Sequence, residues 1–181
     1  MLMISNVHQR EYPVGTEELG ELLDSLASKE DRLWPKRWPP MRFDRELAAG
    51  AIGGHGPIRY SVLEYTPGRH ITFGFDPKRG LLGTHVLHVL PGSTPDTSVL
   101  RHTLIGQPTG YARWRWRLVI RWLHDALLED LLDRAATELG HPPTKPAHWS
   151  PWVRLCRRLM TGPLIGKVDN RNRAQRSEPA S

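Results

Sequence analysis

The segment from Leu118 to Gly140 constrains the fold of this chain more than any other stretch. From His124 onward its apolar residues recur every three or four positions, with acidic residues between them. This spacing predicts an amphipathic helix that covers a core. Gly140 can adopt the left-handed conformation that ends a helix, and the prolines after it cannot continue one. We expect the inward face to comprise His124, Leu127, Leu128, Leu131, Leu132, Ala135 and Leu139, and the opposite face to carry Glu129, Asp130 and Asp133.

The residues before this helix begin with the signals of a strand and a short helix. Ile4 to Tyr12 predicts the first strand, and Thr16 is placed to cap a helix whose apolar side is formed by leucines. The prolines and tryptophans between Leu33 and Pro40 predict a rigid loop. A short strand is expected from Arg42 to Leu47.

A glycine-rich turn and two hairpins are predicted between this loop and the long helix. The glycines from Gly50 to Pro57 indicate a tight turn, or a place where the chain comes close to a ligand. Ile58 to Tyr65 is expected to pair with Arg69 to Phe75 around a Pro-Gly turn. A second hairpin joins residues 83–90 to residues 98–106. This order of elements predicts an α+β fold, with one long helix closing a sheet.

The segment from Tyr111 to Leu118 fits two interpretations. Its tryptophans alternate with its arginines, which is the period of a strand. In a regular helix, Arg113, Arg117 and Arg121 would instead form one row on the inward face. An unpaired arginine row is costly to bury in an apolar core. We therefore expect a strand or an extended segment here, with the long helix starting near Leu118.

Length, charge and cysteine content limit the class of protein. A chain of 181 residues with 39% hydrophobic content can form one domain with a substantial core. Residues 141–181 account for the whole net charge of +6, so the body is neutral and no nucleic-acid partner is expected. The single Cys156 excludes an internal disulfide. No signal-peptide pattern or membrane-span pattern is present, so we expect a cytoplasmic protein.

Five stretches of the chain together resemble one superfamily. The most characteristic is the hairpin pattern V-x-x-Y-x-P-G-R-x-I-x-F. The stretches are LWPKRWPPMRFDR, GAIGGHGPIRYSVLEYTPGRHITFGF, GTHVLHVLPG, SVLRHTLIG and HDALLEDLLDRA. They are similar to the START-like superfamily, also called SRPBCC, and within it to bacterial proteins of the polyketide-cyclase/dehydrase type. The resemblance covers roughly residues 4–140 and does not extend to the tail from His141 to Ser181.

The resemblance implies a helix-grip fold, in which a curved antiparallel sheet wraps around a long C-terminal helix and encloses a hydrophobic cavity. Members bind lipids, polyketides and similar apolar molecules, and only some are enzymes. It implies a ligand-binding domain at residues 1–140, whereas the composition of residues 141–181 predicts a basic, partly disordered extension. We expect a small hydrophobic ligand and no cofactor. The residues expected to line its site are Tyr60, Phe73, Phe75, Leu87, Leu100, Leu104, His124 and Leu128.

Three histidines are the candidates for chemistry in such a cavity. Strand alternation puts His85 and His102 on the apolar sides of paired strands, where they are neighbours if both sides face the helix. With His124 they can act as acid and base in a cyclase or dehydratase, or polarise a ligand carbonyl. The alternative is that they are hydrogen-bonded core histidines in the wall of a carrier. No ligand spacing supports a metal site, so none is predicted.

The tail contains one further pattern, from Trp152 to Met160. At helical spacing, Trp152, Leu155, Cys156 and Leu159 share one face, and Arg154, Arg157 and Arg158 share the other. This pattern predicts a short basic amphipathic helix. Its apolar face either docks back onto the domain or contacts an anionic membrane surface, as in a peripheral membrane or lipid-transfer protein. From Asp169 onward we expect disorder. The sequence leaves the ligand and the oligomeric state open.

Overall fold

The computed structural model describes residues 3–161, and the chain divides into two units between Ala147 and His148. The first unit holds the sheet and the long helix, and the second holds a helix, α4, at Pro151–Thr161. The predicted domain boundary at residue 140 stays a prediction. The disorder expected from Asp169 onward lies outside the described residues.

Seven antiparallel strands form one curved sheet. The strands are β1 (Ile4–Tyr12), β2 (Met41–Phe43), β3 (Ile52–His55), β4 (Ile58–Thr66), β5 (His70–Phe75), β6 (Leu81–Pro91) and β7 (Ser98–Pro108). Their order is β1-β7-β6-β5-β4-β3-β2, so each strand from β2 onward pairs with its neighbour in the chain. The first strand pairs with the last, because a helix, α1 (Thr16–Asp24), and a loop carry the chain to the far edge. The predicted α+β class and both predicted hairpins are confirmed.

One face of the sheet is buried along most of its width. In β7, buried Leu100, His102 and Leu104 alternate with less buried neighbours, and β6 buries His85 and Leu87 in the same way. A strand that has one side in a core gives this period of two. The sides that the sequence assigned to His85 and His102 therefore both face the interior.

The glycine-rich segment forms part of a strand rather than only a turn. The turn is confined to the two residues between β3 and β4. At Gly53 an added Cβ would lie 2.1 Å from the carbonyl oxygen of Arg42, and at Gly54 it would lie 1.9 Å from that of Ile58. The glycines thus permit close approach of backbone to backbone. Two nearby predictions are corrected. The strand expected from Arg42 to Leu47 already ends at Phe43, and the N-cap of α1 is Gly15 rather than Thr16.

The strand expected between Tyr111 and Leu118 is wrong, since the chain there is already helical. A first helical turn, α2 (Ala112–Arg115), leads through a π-helical turn at Trp116–Ile120 into α3 (Arg121–Glu138). A π turn closes i to i+5 hydrogen bonds and so takes up more residues than a regular turn. This change of register lets the arginines of the segment stay exposed, while Trp116 is buried on the side of the core.

The inward face of α3 is confirmed, and its C-terminus ends as expected. Leu131 is 1% exposed, and the hydroxyl of Tyr12 on β1 donates to the carbonyl oxygen of Leu132 at 2.9 Å. Gly140 has a φ of +79°, and the next amide donates back to the carbonyl oxygen of Ala136 at 2.8 Å. This is the left-handed C-terminal cap that glycine favours.

The acidic face of α3 does not point to solvent, which corrects the simple amphipathic interpretation. Asp133 accepts a hydrogen bond from the Arg10 guanidinium of β1, and Glu129 accepts a second one at 3.2 Å. Asp130 accepts a hydrogen bond from the indole of Trp38 at 2.7 Å. Because β1 and the Leu33–Pro40 loop bring donors to this face, the acids are half-buried and paired.

The predicted tail helix is present as α4, but its apolar residues do not share one environment. Val153 and Cys156 are buried, whereas Trp152, Leu155 and Leu159 are exposed. Among residues 3–161, none of the helices combines the length and the apolar character that a membrane span requires.

Candidate functional site

An aromatic cluster centred on His85 occupies the buried side of the sheet. The His85 ring stacks on Phe73 and Phe75 with centroid separations of 4.7 and 4.9 Å. Tyr60 meets it edge to face at 5.0 Å. These four side chains come from β4, β5 and β6, and the alternation of each strand turns them to the same side. The imidazole of His85 thus lies in a wall of aromatic rings.

The three histidines singled out from the sequence come together in the structure. His85 pairs in register with Leu104, and His102 pairs with Leu87, so the two histidines are diagonal neighbours. Nδ1 of His85 lies 3.2 Å from Nε2 of His102, which is a hydrogen bond. The ring of His124 on α3 is 5.0 Å from that of His102. The row of rings therefore runs from the sheet to the helix.

Burial keeps this row uncharged near neutral pH. Removal from water lowers the pKa values of His85 and His102 well below the ordinary 6.5, and the nearby His124 lowers them further. Burial also lowers the pKa of His124, although Asp125 opposes this shift. Tyr60 has its pKa raised well above 10 by burial, so its hydroxyl keeps its proton. Neutral imidazoles and a phenol can both donate and accept hydrogen bonds.

Several polar atoms of this interior have no hydrogen-bond partner within residues 3–161. They are Tyr60 Oη, His85 Nε2, His102 Nδ1, His124 Nδ1 and Asn6 Oδ1, and all are buried. Buried polar atoms in folded proteins are nearly always paired, because an unpaired one loses its hydration without compensation. Their concentration between the sheet and α3 marks this region as the candidate site.

A polar seam, formed by the inward side chains of β1 and the acids of α3, borders the cluster. His8 contacts Glu129 Oε1 through Nδ1 at 2.8 Å and Asp125 Oδ1 through Nε2 at 3.1 Å. Asn6 donates to the same Asp125 oxygen at 2.8 Å. The hydrogen bond to Asp125 raises the pKa of His8, although partial burial opposes it. Burial raises the pKa of Asp125, but the nearby His124 and the contacts with His8 and Asn6 outweigh it and lower this pKa below its ordinary value.

The residues expected to line a ligand site are all on the interior side. Leu104 packs with Trp116 of the π turn, and Phe75 packs against them, so this group joins the sheet to the helix. Phe75 and His124 are half-buried. The buried members of the expected set are Tyr60, Phe73, Leu87, Leu100, Leu104 and Leu128. That they contact a ligand stays a prediction.

Sequence reasoning missed three side chains of this interior. His55 lies 4.8 Å from the ring of Trp34 and 5.9 Å from that of Tyr60, and burial lowers its pKa to about 4. His8 and Asp125 were missed as well. For His8 the sequence shows a run of polar residues at alternate positions of β1, between the buried residues at its two ends, but a strand side that faces water has the same pattern.

Comparison with known proteins supports the architecture. No protein-family model matches the sequence, and no curated protein matches it. CalU16 from Micromonospora echinospora has a similar fold, with a TM-score of 0.55, 15% identity and coverage of 86% of this chain and 83% of that chain. Norcoclaurine synthase from Thalictrum flavum, in complex with dopamine and hydroxybenzaldehyde, gives a TM-score of 0.59 and 12% identity over 79% of this chain and 90% of that chain. A Nitrosospira multiformis protein gives 0.58 and 12% over 75% and 95%.

These likenesses establish the fold alone, because the identities are low. They support a helix-grip architecture, which is the fold that the resemblance of the sequence motifs implies. In the present chain, the buried histidines His85, His102 and His124 lie between the sheet and the long helix of this fold.

Proposed function

We propose that the protein binds a small, mostly apolar molecule bearing hydroxyl or carbonyl groups, between the sheet and α3. The supporting observation is the set of unpartnered polar atoms, which includes Tyr60 Oη, His85 Nε2 and His102 Nδ1. Leaving such an atom buried and unpaired costs about 1–3 kcal/mol. A ligand that supplies the missing partners offsets this cost, so binding is favoured over the free state.

The surroundings of these atoms favour an aromatic ligand. Phe73, Phe75 and Tyr60 present ring faces and edges next to His85. Flat rings stack well in such a site, and their hydroxyl groups can reach the imidazoles. Norcoclaurine synthase, which shares the fold, holds dopamine and hydroxybenzaldehyde, both small aromatic molecules with hydroxyl groups. We therefore favour a phenolic or polyketide-like molecule over a long-chain lipid.

A matched pair of probes tests the proposed hydrogen bonds. Wild-type protein should bind 2-naphthol more tightly than naphthalene, and the His85→Leu variant should lose about tenfold in naphthol affinity, or about 1.4 kcal/mol. Its naphthalene affinity should change little. His88→Leu is the control, because His88 lies on the opposite side of the same strand. An equal loss for both probes in His85→Leu would contradict the proposal.

A filling substitution tests the location. Leu104→Trp adds volume at a position that is 1% exposed and should displace either probe. Ile105→Trp, at the next position and 50% exposed, should leave binding unchanged. Probe binding that survives Leu104→Trp would place the site elsewhere.

The second candidate function is an acid–base enzyme of the cyclase or dehydratase kind. The observation that favours it is the hydrogen-bonded pair of His85 and His102, because burial keeps both imidazoles neutral and leaves a ring nitrogen able to accept a proton from a substrate as a general base. Native mass spectrometry of protein from its own host distinguishes the two functions. If His85→Leu carries a molecule heavier by one water than that on the wild type, dehydration is supported. The same molecule on both proteins supports binding alone.

A further inference from the structure

We infer a binding site for a divalent transition-metal ion where β1 meets α3. One donor atom from each of His8, His124 and Asp125 lies within 4.8 Å of the other two. Asp125 Oδ1 is 3.1 Å from Nε2 of His8 and 3.8 Å from Nδ1 of His124. Ligand atoms around a tetrahedral zinc ion, with bonds of about 2.0–2.1 Å, lie about 3.3 Å apart. The two separations fall on either side of that value.

The side chains around this metal triad, His8, His124 and Asp125, hold two of its members in a ligating orientation. Glu129 Oε1 lies 2.8 Å from Nδ1 of His8 and can accept the Nδ1 proton, so a metal ion that displaces the proton shared by Nε2 and Asp125 would meet the Nε2 lone pair. Asn6 donates to Asp125 at 2.8 Å, and Arg10 donates to Glu129 at 3.2 Å. Histidines that bind metals usually donate their other N–H to a carboxylate in this way.

The third member of the triad has no partner within residues 3–161. Nδ1 of His124 is buried without a hydrogen bond, and its 3.8 Å distance to Asp125 is too long for one. In the tautomer that has its lone pair on Nδ1, this nitrogen and the carboxylate oxygen are both acceptors, so they repel each other. A metal cation between them satisfies both atoms at once. The unpaired nitrogen and the carboxylate oxygen thus form two sides of a position that a cation can occupy.

The donor set restricts the class of metal. Two imidazoles and one carboxylate suit zinc, ferrous iron and their neighbours, whereas magnesium and calcium prefer oxygen ligands alone. Three protein ligands leave a coordination position for water or for a ligand group. This site goes beyond the proposed function, because neither Tyr60 nor His85 contributes to it.

Calorimetric titration of the full chain with zinc, after treatment with a chelator and its removal, tests the site. Wild-type protein should bind one zinc ion. Asp125→Asn should weaken binding at least tenfold, and Glu129→Gln should weaken it by about 10–100-fold through the orientation of His8. His88→Ala is the control, because His88 packs near His70, with their rings 5.2 Å apart, outside the triad. Cobalt bound in place of zinc should give visible absorption that Asp125→Asn lacks.

Absence of zinc binding by the wild type would overturn the inference directly and would leave His8 as the partner of an ordinary ion pair. Wild-type affinity in Asp125→Asn, or a loss confined to His88→Ala, would overturn it as well. Circular dichroism establishes whether each variant folds. If Asp125→Asn does not fold, the zinc affinity of Glu129→Gln provides the test. Naphthol binding, measured on zinc-free protein, can fail or succeed independently of this result.

Discussion

A leucine substitution at either His85 or His102 should destabilise the protein, whereas both substitutions together should not. The two residues are 8% and 4% exposed, and their hydrogen bond spans 3.2 Å. One substitution removes the bond and leaves the other ring nitrogen buried and unpaired, which should cost about 1–3 kcal/mol. The double substitution removes every ring nitrogen of the pair and keeps the volume nearly constant. Its free energy of unfolding should lie within about 1 kcal/mol of the wild-type value, or above it.

Urea unfolding followed by tryptophan fluorescence supplies the four free energies of a double-mutant cycle. We expect a coupling energy of about 1–3 kcal/mol, because the two side chains are in direct contact. Additive effects of the single substitutions would refute the reasoning, since they would mean that neither ring depends on the other.

The pH dependence of the same unfolding free energy provides a second measure for His85. Burial holds the pKa of this residue well below 6.5, so the folded protein keeps it neutral where the unfolded chain takes up a proton. Acidification below about pH 6.5 therefore favours the unfolded state, by up to about 1.4 kcal/mol per pH unit for one histidine. The profile of His85→Leu should be flatter by that amount, because His55 and His102 still titrate in both proteins. An unchanged slope would contradict the burial argument.

Three further predictions concern the fold and the tail. Leu131→Ala should lower the free energy of unfolding in urea by roughly 2–5 kcal/mol, whereas Leu159→Ala, at a position that is 70% exposed, should change it by less than about 0.5 kcal/mol. Gly54→Ala should lower the melting temperature, because its Cβ would lie 1.9 Å from a backbone oxygen, while Gly15→Ala, with nothing within 4 Å, should lower it much less, by the cost of a poorer N-cap alone. If the tail is a structural strap, as we expect, truncation after Gly140 should lower the melting temperature and expose apolar surface, and anionic vesicles should not bind the full chain. Salt-sensitive vesicle binding by the full chain, with unchanged stability on truncation, would instead indicate a membrane anchor.

The wall of the candidate site could be predicted from the sequence because its residues follow the local period of a strand. His85 and His102 each stand among apolar residues at alternate positions, and burying one side of a strand buries the histidine with them. The closing helix was predictable for the same reason, from leucines such as Leu131 at helical spacing. Its start was not, because a period assumes regular geometry and the π turn at Trp116–Ile120 breaks it.

The polar seam could not be predicted because its partners are far apart in the chain. His8 and Asp125 are separated by 117 positions, and the inward polar side of β1 has the same alternation as a strand side that faces water. Periodicity gives the spacing of polar residues, but it does not tell whether an opposing element will neutralise them. Here Glu129 and Asp133 of α3 do so, which is why Arg10 can lie on the interior side of the sheet.

His124 belongs to both proposed sites, and this position makes the two proposals separable. Its ring contacts His102 at 5.0 Å, while its Nδ1 faces Asp125 at 3.8 Å. Asp125→Asn removes a member of the metal triad only, so zinc affinity should fall while naphthol affinity holds. His85→Leu should do the reverse. His124→Leu should weaken both, because the His124 ring packs beside His102 and its Nδ1 belongs to the metal triad. Loss of only one affinity in His124→Leu would show that the other site does not use this residue.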